Sequence, residues 1–156
     1  LSTSSAGPTA IPYGYDMWRL IGHVLTDGSS HILPFQQTGS GSTRVMTYDT
    51  LIQVLNAGNA TAWADVACSA YAPAATIGRV YVQVALTPAA AGHEVFLRRK
   101  GSSATLGSAA LSGTVASVVS AGALTVPVNS SAIFQYEVSN SSDAVSLYLS
   151  AYEDEL

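Results

Sequence analysis

PYGYDMWRLIGHVLTDGSSHILPF, Pro12–Phe35, reads as two apolar strands folded about the turn Asp27-Gly28-Ser29-Ser30. An Asp-Gly pair between apolar runs is a strong hairpin signal, because glycine adopts the positive φ that a tight turn needs. The outgoing strand is expected over about Met17–Thr26, where Gly22 marks a bulge or a close backbone approach. His31–Phe35 returns, and Pro34, which has no N–H to give to a ladder, places that return at an edge or a strand end.

Outward from the hairpin, strand-like segments recur between turns. GSGS at 39–42 leads into Thr43–Tyr48 and Thr50–Leu55, and Asn56-Ala57-Gly58-Asn59 marks the next reversal. Thr61–Ala70 carries Trp63, Val66 and Cys68, and Pro73 ends it. Arg79–Thr87 has the cleanest period of two: Val80, Val82, Val84 and Leu86 on one face, Tyr81, Gln83 and Ala85 on the other. After the loop Pro88–Gly92, Glu94–Arg99 is a strand, and the Ser/Gly/Ala-rich Gly101–Gly113 reads as a long loop. Thr114–Ser120 and Ala123–Val128 are expected to form a hairpin about Ala121-Gly122. Turns at Asn129–Ser131 and Asn140–Asp143 introduce Ala132–Val138 and Ala144–Tyr152. In the last strand Val145, Leu147, Leu149 and Ala151 alternate with Ser146, Tyr148, Ser150 and Tyr152. No stretch pairs a helical apolar stripe with caps at both ends, and no repeat argues for a solenoid or propeller. Short strands at this spacing predict an antiparallel β-sandwich or barrel.

The 156 residues suit one domain, 12–156, preceded by a Ser/Thr/Ala/Pro-rich arm or linker, 1–11. The opening LSTSSAG lacks a basic n-region and is expected to be a processed end or the tail of an upstream segment, not a signal peptide. Hydrophobic residues make up 48% and charged residues only 10%, so the polar surface comes from Ser, Thr, Gly, Asn and Gln. Such a surface is poorly guarded against association, which favours an oligomer. A net charge of −4 argues against nucleic acid, which needs clustered Lys and Arg. Arg98-Arg99-Lys100, the one basic cluster, reads as a strand end kept soluble by charge. Cys68 alone makes neither a disulfide nor a paired zinc site and reads as a small buried hydrophobe. No run approaches a membrane span.

Chemistry is sparse. A glycosidase needs two carboxylates facing one bond, yet Asp27 and Asp143 sit in turns, where they bond local backbone, and Asp16 is a strand-lead or turn residue. His23, His31 and His93 lack metal-ligand spacing, no serine sits in GxSxG, and GSGSTR at 39–44 lacks the lysine and helix of a phosphate loop. No catalytic residue, metal or cofactor is therefore assigned. Sequons at Asn59, Asn129 and Asn140 are expected by chance in so Asn/Ser-rich a chain. Aromatic placement says more. Tyr81, Tyr136, Tyr148 and Tyr152 lie on strands, while Tyr13, Tyr15 and Trp18 cluster at the entry to the first, with Arg19 beside them. Tyrosine offers apolar area with a polar tip, so Tyr15, Trp18, Arg19, Tyr81, Tyr136, Tyr148 and Tyr152 are the candidate binding residues. A subunit interface is favoured for them over a carbohydrate site.

The segment Gly14–Gly22, continuing as Leu25-Thr26-Asp27-Gly28-Ser29-Ser30-His31-Ile32 and Phe35-Gln36-Gln37-Thr38-Gly39, resembles a motif of tail-associated bacteriophage virion proteins, roughly GYxxYRRIG, TDxSxNI, then a Phe and a QxG. Trp63-Ala64-Asp65-Val66 with Tyr71-Ala72-Pro73, ahead of Arg79–Leu86, resembles the same family's second landmark. Here Arg19-Leu20 stands for Arg-Arg, His31-Ile32 for Asn-Ile, and Ser150–Leu156 for a Gly-Trp-Asp ending. The resemblance implies a trimeric β-sandwich of a fibre, spike or other virion surface protein. The expectation is an all-β, jelly-roll-like antiparallel sandwich that is not an enzyme. It would be a homo-oligomer on the virion, contacting other virion proteins and host cell-surface polysaccharide, with no nucleic acid and no membrane insertion. A capsid decoration protein, and a catalytic or non-catalytic domain of a polysaccharide depolymerase working through Asp16 or Glu137, are the alternatives.

Overall fold

The computed structural model describes Thr26, residues 29–40, 42–74 and 76–155. Among them are nine strands: β1 (Phe35–Ser40), β2 (Thr43–Gly58), β3 (Ala64–Ala67), β4 (Ile77–Thr87), β5 (Glu94–Arg99), β6 (Ala109–Ser112), β7 (Ser120–Pro127), β8 (Ile133–Val138) and β9 (Ala144–Glu155). No helix occurs among the described residues. The strands form two antiparallel sheets, ordered β1-β2-β9-β4-β7 and β3-β8-β5-β6. Buried residues of both sheets belong to one apolar cluster, a sandwich-like arrangement.

The alternation in β4 becomes this core directly. Val80, Val82, Val84 and Leu86 are buried, while Tyr81, Gln83 and Ala85 on the outer face are half-buried. Val145, Leu147 and Leu149 of β9 lie beside them, and Val95, Leu97, Phe134, Tyr136 and Val138 face them from the other sheet. β-branched side chains suit such pleated, closely packed surfaces. Cys68 is fully buried in the same cluster.

Four expectations change. Thr43–Leu55 is a single strand, bent where four residues of β2 between Thr47 and Ile52 stand opposite Ser150 alone. Gly101–Gly113 contains β6, short and paired only to β5. Ala121-Gly122 is strand interior, not a turn: Gly122 lies where β7 approaches the other sheet, and an added Cβ would meet Leu111 Cδ1 at 3.1 Å. The preceding Thr114–Val119 is not a strand, because Ser117 takes a φ of 59° and donates its N–H to the Pro88 carbonyl at 2.7 Å.

Another concerns Tyr152. β4 pairs Tyr81 with Ala151 and Val82 with Leu149, so Ser150 is an extra residue in β9. One extra residue reverses the facing of everything after it. Tyr152 therefore leaves the face of Tyr148 and turns inward, opposite Val80 and Met46, with its ring 6.0 Å from that of Tyr48. Tyr48 donates its hydroxyl to the Tyr71 carbonyl.

The first hairpin lies largely outside the described residues, as do the arm 1–11, Gly22 and His23. One bridge of it is described: Thr26 pairs antiparallel with Ile32.

Leu147 is fully buried, so Leu147→Ala should lower unfolding stability by about 2–5 kcal/mol, read from urea denaturation. A second outcome concerns alkali. Burial pushes the Cys68 thiol up to about 12 and also raises the hydroxyls of Tyr48 and Tyr152. The native state thus holds these protons more tightly than the unfolded chain does. The stability gained is whole below the unfolded values, ordinarily 9.0 and 10.0, and is lost as pH climbs through them toward the folded ones. The denaturation midpoint should fall steadily above about pH 9, and Cys68 should resist thiol reagents until the chain unfolds; a flat profile into strong alkali contradicts this.

Candidate functional site

The outer face of the five-stranded sheet gathers the outward-facing tyrosines of its central strands. Register sets Gln53 of β2, Tyr148 of β9 and Gln83 of β4 in one row, with Ala123 of β7 beyond. Tyr81 is the diagonal neighbour of Tyr148 across the β4–β9 ladder. Both rings are half-buried and both hydroxyls are held: Tyr148 Oη accepts from Gln53 Nε2 at 3.4 Å, and Tyr81 Oη donates to Glu153 Oε2 at 3.5 Å. The extra residue of β9 contributes too, since Ser150 Oγ donates to the Tyr81 carbonyl at 3.0 Å. Arg79 Nε, 3.2 Å from Glu153 Oε1, ends the row of side chains at one side, and the centre of the face carries no charge. Aromatic and amide-lined, with its ion pair at one end, this surface can stack on a sugar ring or pack on another protein.

The seven candidate binding residues divide accordingly. Tyr81 and Tyr148 share this face. Tyr136 and Tyr152 are in the core, 6% and 1% exposed, and act as packing residues; the Tyr136 hydroxyl also accepts from the Ala60 N–H at 3.4 Å. Tyr15, Trp18 and Arg19 lie outside the described residues.

A second constellation, on the outer face of the four-stranded sheet, was not legible as a site. Arg98 of β5 lies over the Trp63 ring, 4.0 Å from its centroid. Its Nε donates to Gln135 Oε1 at 3.0 Å and one Nη to the Ala104 carbonyl at 2.7 Å. Gln135 of β8 passes its amide to Asp65 Oδ1 of β3 at 3.0 Å, and Lys100 pairs with Asp65 Oδ2. The Lys100 and Gln135 bonds hold the Asp65 carboxyl below its ordinary range. Arg99 Nε donates to the Val128 carbonyl at 3.0 Å. The basic cluster is thus a cross-strand network rather than a solvated strand end. Asp65, Gln135 and Arg98 are each at outward positions, but only the non-sequential order β3-β8-β5 aligns them.

Asp143 does bond its own turn, as its position suggested, and also reaches a neighbouring loop. It is 2% exposed and accepts from Asn140 N at 3.1 Å, Ala89 N at 2.8 Å and the His93 Nδ1 side at 2.7 Å. This ties the β4–β5 loop to the β8–β9 turn. A pocket of about 150 Å³ lined by Leu33, Pro34, Tyr48, Thr50 and Ile52 is almost wholly apolar. Among the described residues no group of His, Cys, Asp and Glu has the arrangement of a metal site.

No protein-family model matches the chain, and no curated protein matches it either.

Replacing Asp143 removes the buried acceptor of two part-buried backbone hydrogen bonds. Asp143→Ala should therefore cost about 1–3 kcal/mol and speed hydrogen exchange at Ala89, measured by thermal denaturation and mass spectrometry.

Proposed function

We propose that the chain is a structural and adhesion module of a bacteriophage particle, of tail-fibre or tailspike type, exposed on the virion and not an enzyme. It works as a homo-oligomer, a trimer by the resemblance of its Pro12–Phe35 motif, in contact with other virion proteins. The observation that carries the reading is the outer face built on Tyr81 and Tyr148: aromatic rings with tethered hydroxyls, flanked by Gln53 and Gln83, on central strands of a sheet. Rigid aromatics of this kind give contact area at little entropic cost. In this reading the face engages host cell-surface polysaccharide.

Strand order supports a jelly-roll topology for the module. β2, β9, β4 and β7 form one sheet and β3, β8, β5 and β6 the other, so successive strands from β2 to β5 alternate between sheets. Eight-stranded double sheets of that type serve as viral capsid and lectin domains. Fold alone carries no function, so the weight rests on the Tyr81–Tyr148 face.

Labelling the chain and imaging whole particles tests the location: label on the tail or outer surface is expected, and its absence from purified particles would end the reading. Tyr81→Ala and Tyr148→Ala should each weaken adsorption to host cells about tenfold, equivalent to about 1.4 kcal/mol of lost stacking. Unchanged adsorption by the double variant would remove this face from recognition.

A further inference from the structure

The β6–β7 side is built from the longest uncharged run of the chain. From Gly101 to Tyr136 the chain contains no Asp, Glu, Lys, Arg or His. This run supplies β6 and β7, and each is the terminal strand of its sheet. The two lie together, since Gly122 of β7 faces Leu111 of β6. Both sheets therefore end on the same uncharged side.

Terminal strands offer unpaired N–H and C=O groups, and soluble proteins guard them with lysines, inward charges, bulges or proline. β7, SAGALTVP, has no charge, pairs with β4 without a register shift, and meets proline only at its last residue. β6, AALS, has no guard either. By contrast β3, which ends the four-stranded sheet on its other side, carries Asp65 in its network with Lys100 and Gln135. The loops flanking β6 add apolar groups: Leu106 is 72% exposed, and Val115, Val118 and Val119 are 53%, 55% and 59% exposed. These four lie in the loops on either side of β6, beside two open strands.

We infer that the β6–β7 side, with Leu106 and the Val115–Val119 loop, is where copies of this chain join, through strand-edge and apolar contact. The inference rests on the oligomeric reading above and locates its interface. Self-association follows from the charge pattern. Near a symmetry axis identical residues of different copies converge, so an ionised side chain there meets its own like. A long uncharged run is what such an axis tolerates. A partner of different sequence has no such constraint and is commonly selected by complementary charge, which this side does not offer.

Size-exclusion chromatography with light scattering on the full chain tests this. Val118→Lys in the loop between β6 and β7 and Leu106→Lys ahead of β6 each place a charge at an exposed position, and thermal melts verify that both variants fold. Leu51→Lys, at a 50% exposed position on β2, is the control. The expected result is an oligomeric parent whose dissociation is shifted at least tenfold in concentration by either patch substitution, and made complete by the pair. The control should leave the mass unchanged. Amide exchange along β7 should quicken in the dissociated variants. An oligomer indifferent to both patch substitutions would overturn this interface and leave the oligomeric reading standing. A parent that stays monomeric at every concentration would overturn both.

Discussion

β9 pairs with β2 along one edge and with β4 along the other, and its inward side chains Val145, Leu147, Leu149 and Tyr152 are all buried. The rest of the architecture depends on that register. A slip of one residue would turn every one of these side chains outward and bring Ser146 and Tyr148 into the core. The strand avoids this by fixing its pairing twice, on either side of Ser150, where its ladders with both β2 and β4 shift. The irregularity also makes room for the bend in β2, so that Tyr48 reaches Tyr152 while Asp49, Thr50 and Leu51 remain exposed. A single extra residue thus couples the packing of the core to the shape of the face above it.

Where side chains alternate regularly, the chain could be read directly. Val80–Leu86 specified its two faces because the period of two has only one buried solution there. Glu94–Arg99 likewise matches β5 at both ends. The failures have physical causes. Ala121-Gly122 has turn composition, yet its glycine answers a close approach from Leu111, a contact distant in sequence. Tyr152 obeys the alternation only up to Ser150, and no local signal announces a bulge at a serine. Tyr136 was a matter of reading its aromatic ring without its parity: with Phe134 and Val138 it occupies the inward face of β8.

The same limit applies to the two outer faces. Tyr81 and Tyr148 were legible as outward aromatics, because each alternates with buried aliphatics on its own strand. That they share a face with Gln53 and Gln83 depends on β9 lying between β2 and β4, an order set by crossovers. The Trp63–Arg98–Gln135–Asp65 network was harder still, since its members come from β5, β8, β3 and the segment just before β3. A triplet of basic residues looks like a solubility device until the strands beside it supply a carboxylate, an amide and an indole.

Charge is distributed so that the surfaces have different uses. The four-stranded face spends its cations within its own network, while the centre of the five-stranded face and the β6–β7 side are uncharged. If copies join edge to edge at the β6–β7 side, the Tyr81–Tyr148 face, which lies on the flat of the sheet and not on its edge, would be repeated around the assembly. Repetition matters because a single flat aromatic face, stacking on one or two sugar rings, binds weakly. Several such faces on one rigid particle convert later contacts into intramolecular ones, and avidity exceeds the single affinity by about 10²–10⁴ when the spacing matches the ligand. On the proposed reading, the uncharged edge would set the spacing at which the aromatic faces meet a repeating polymer.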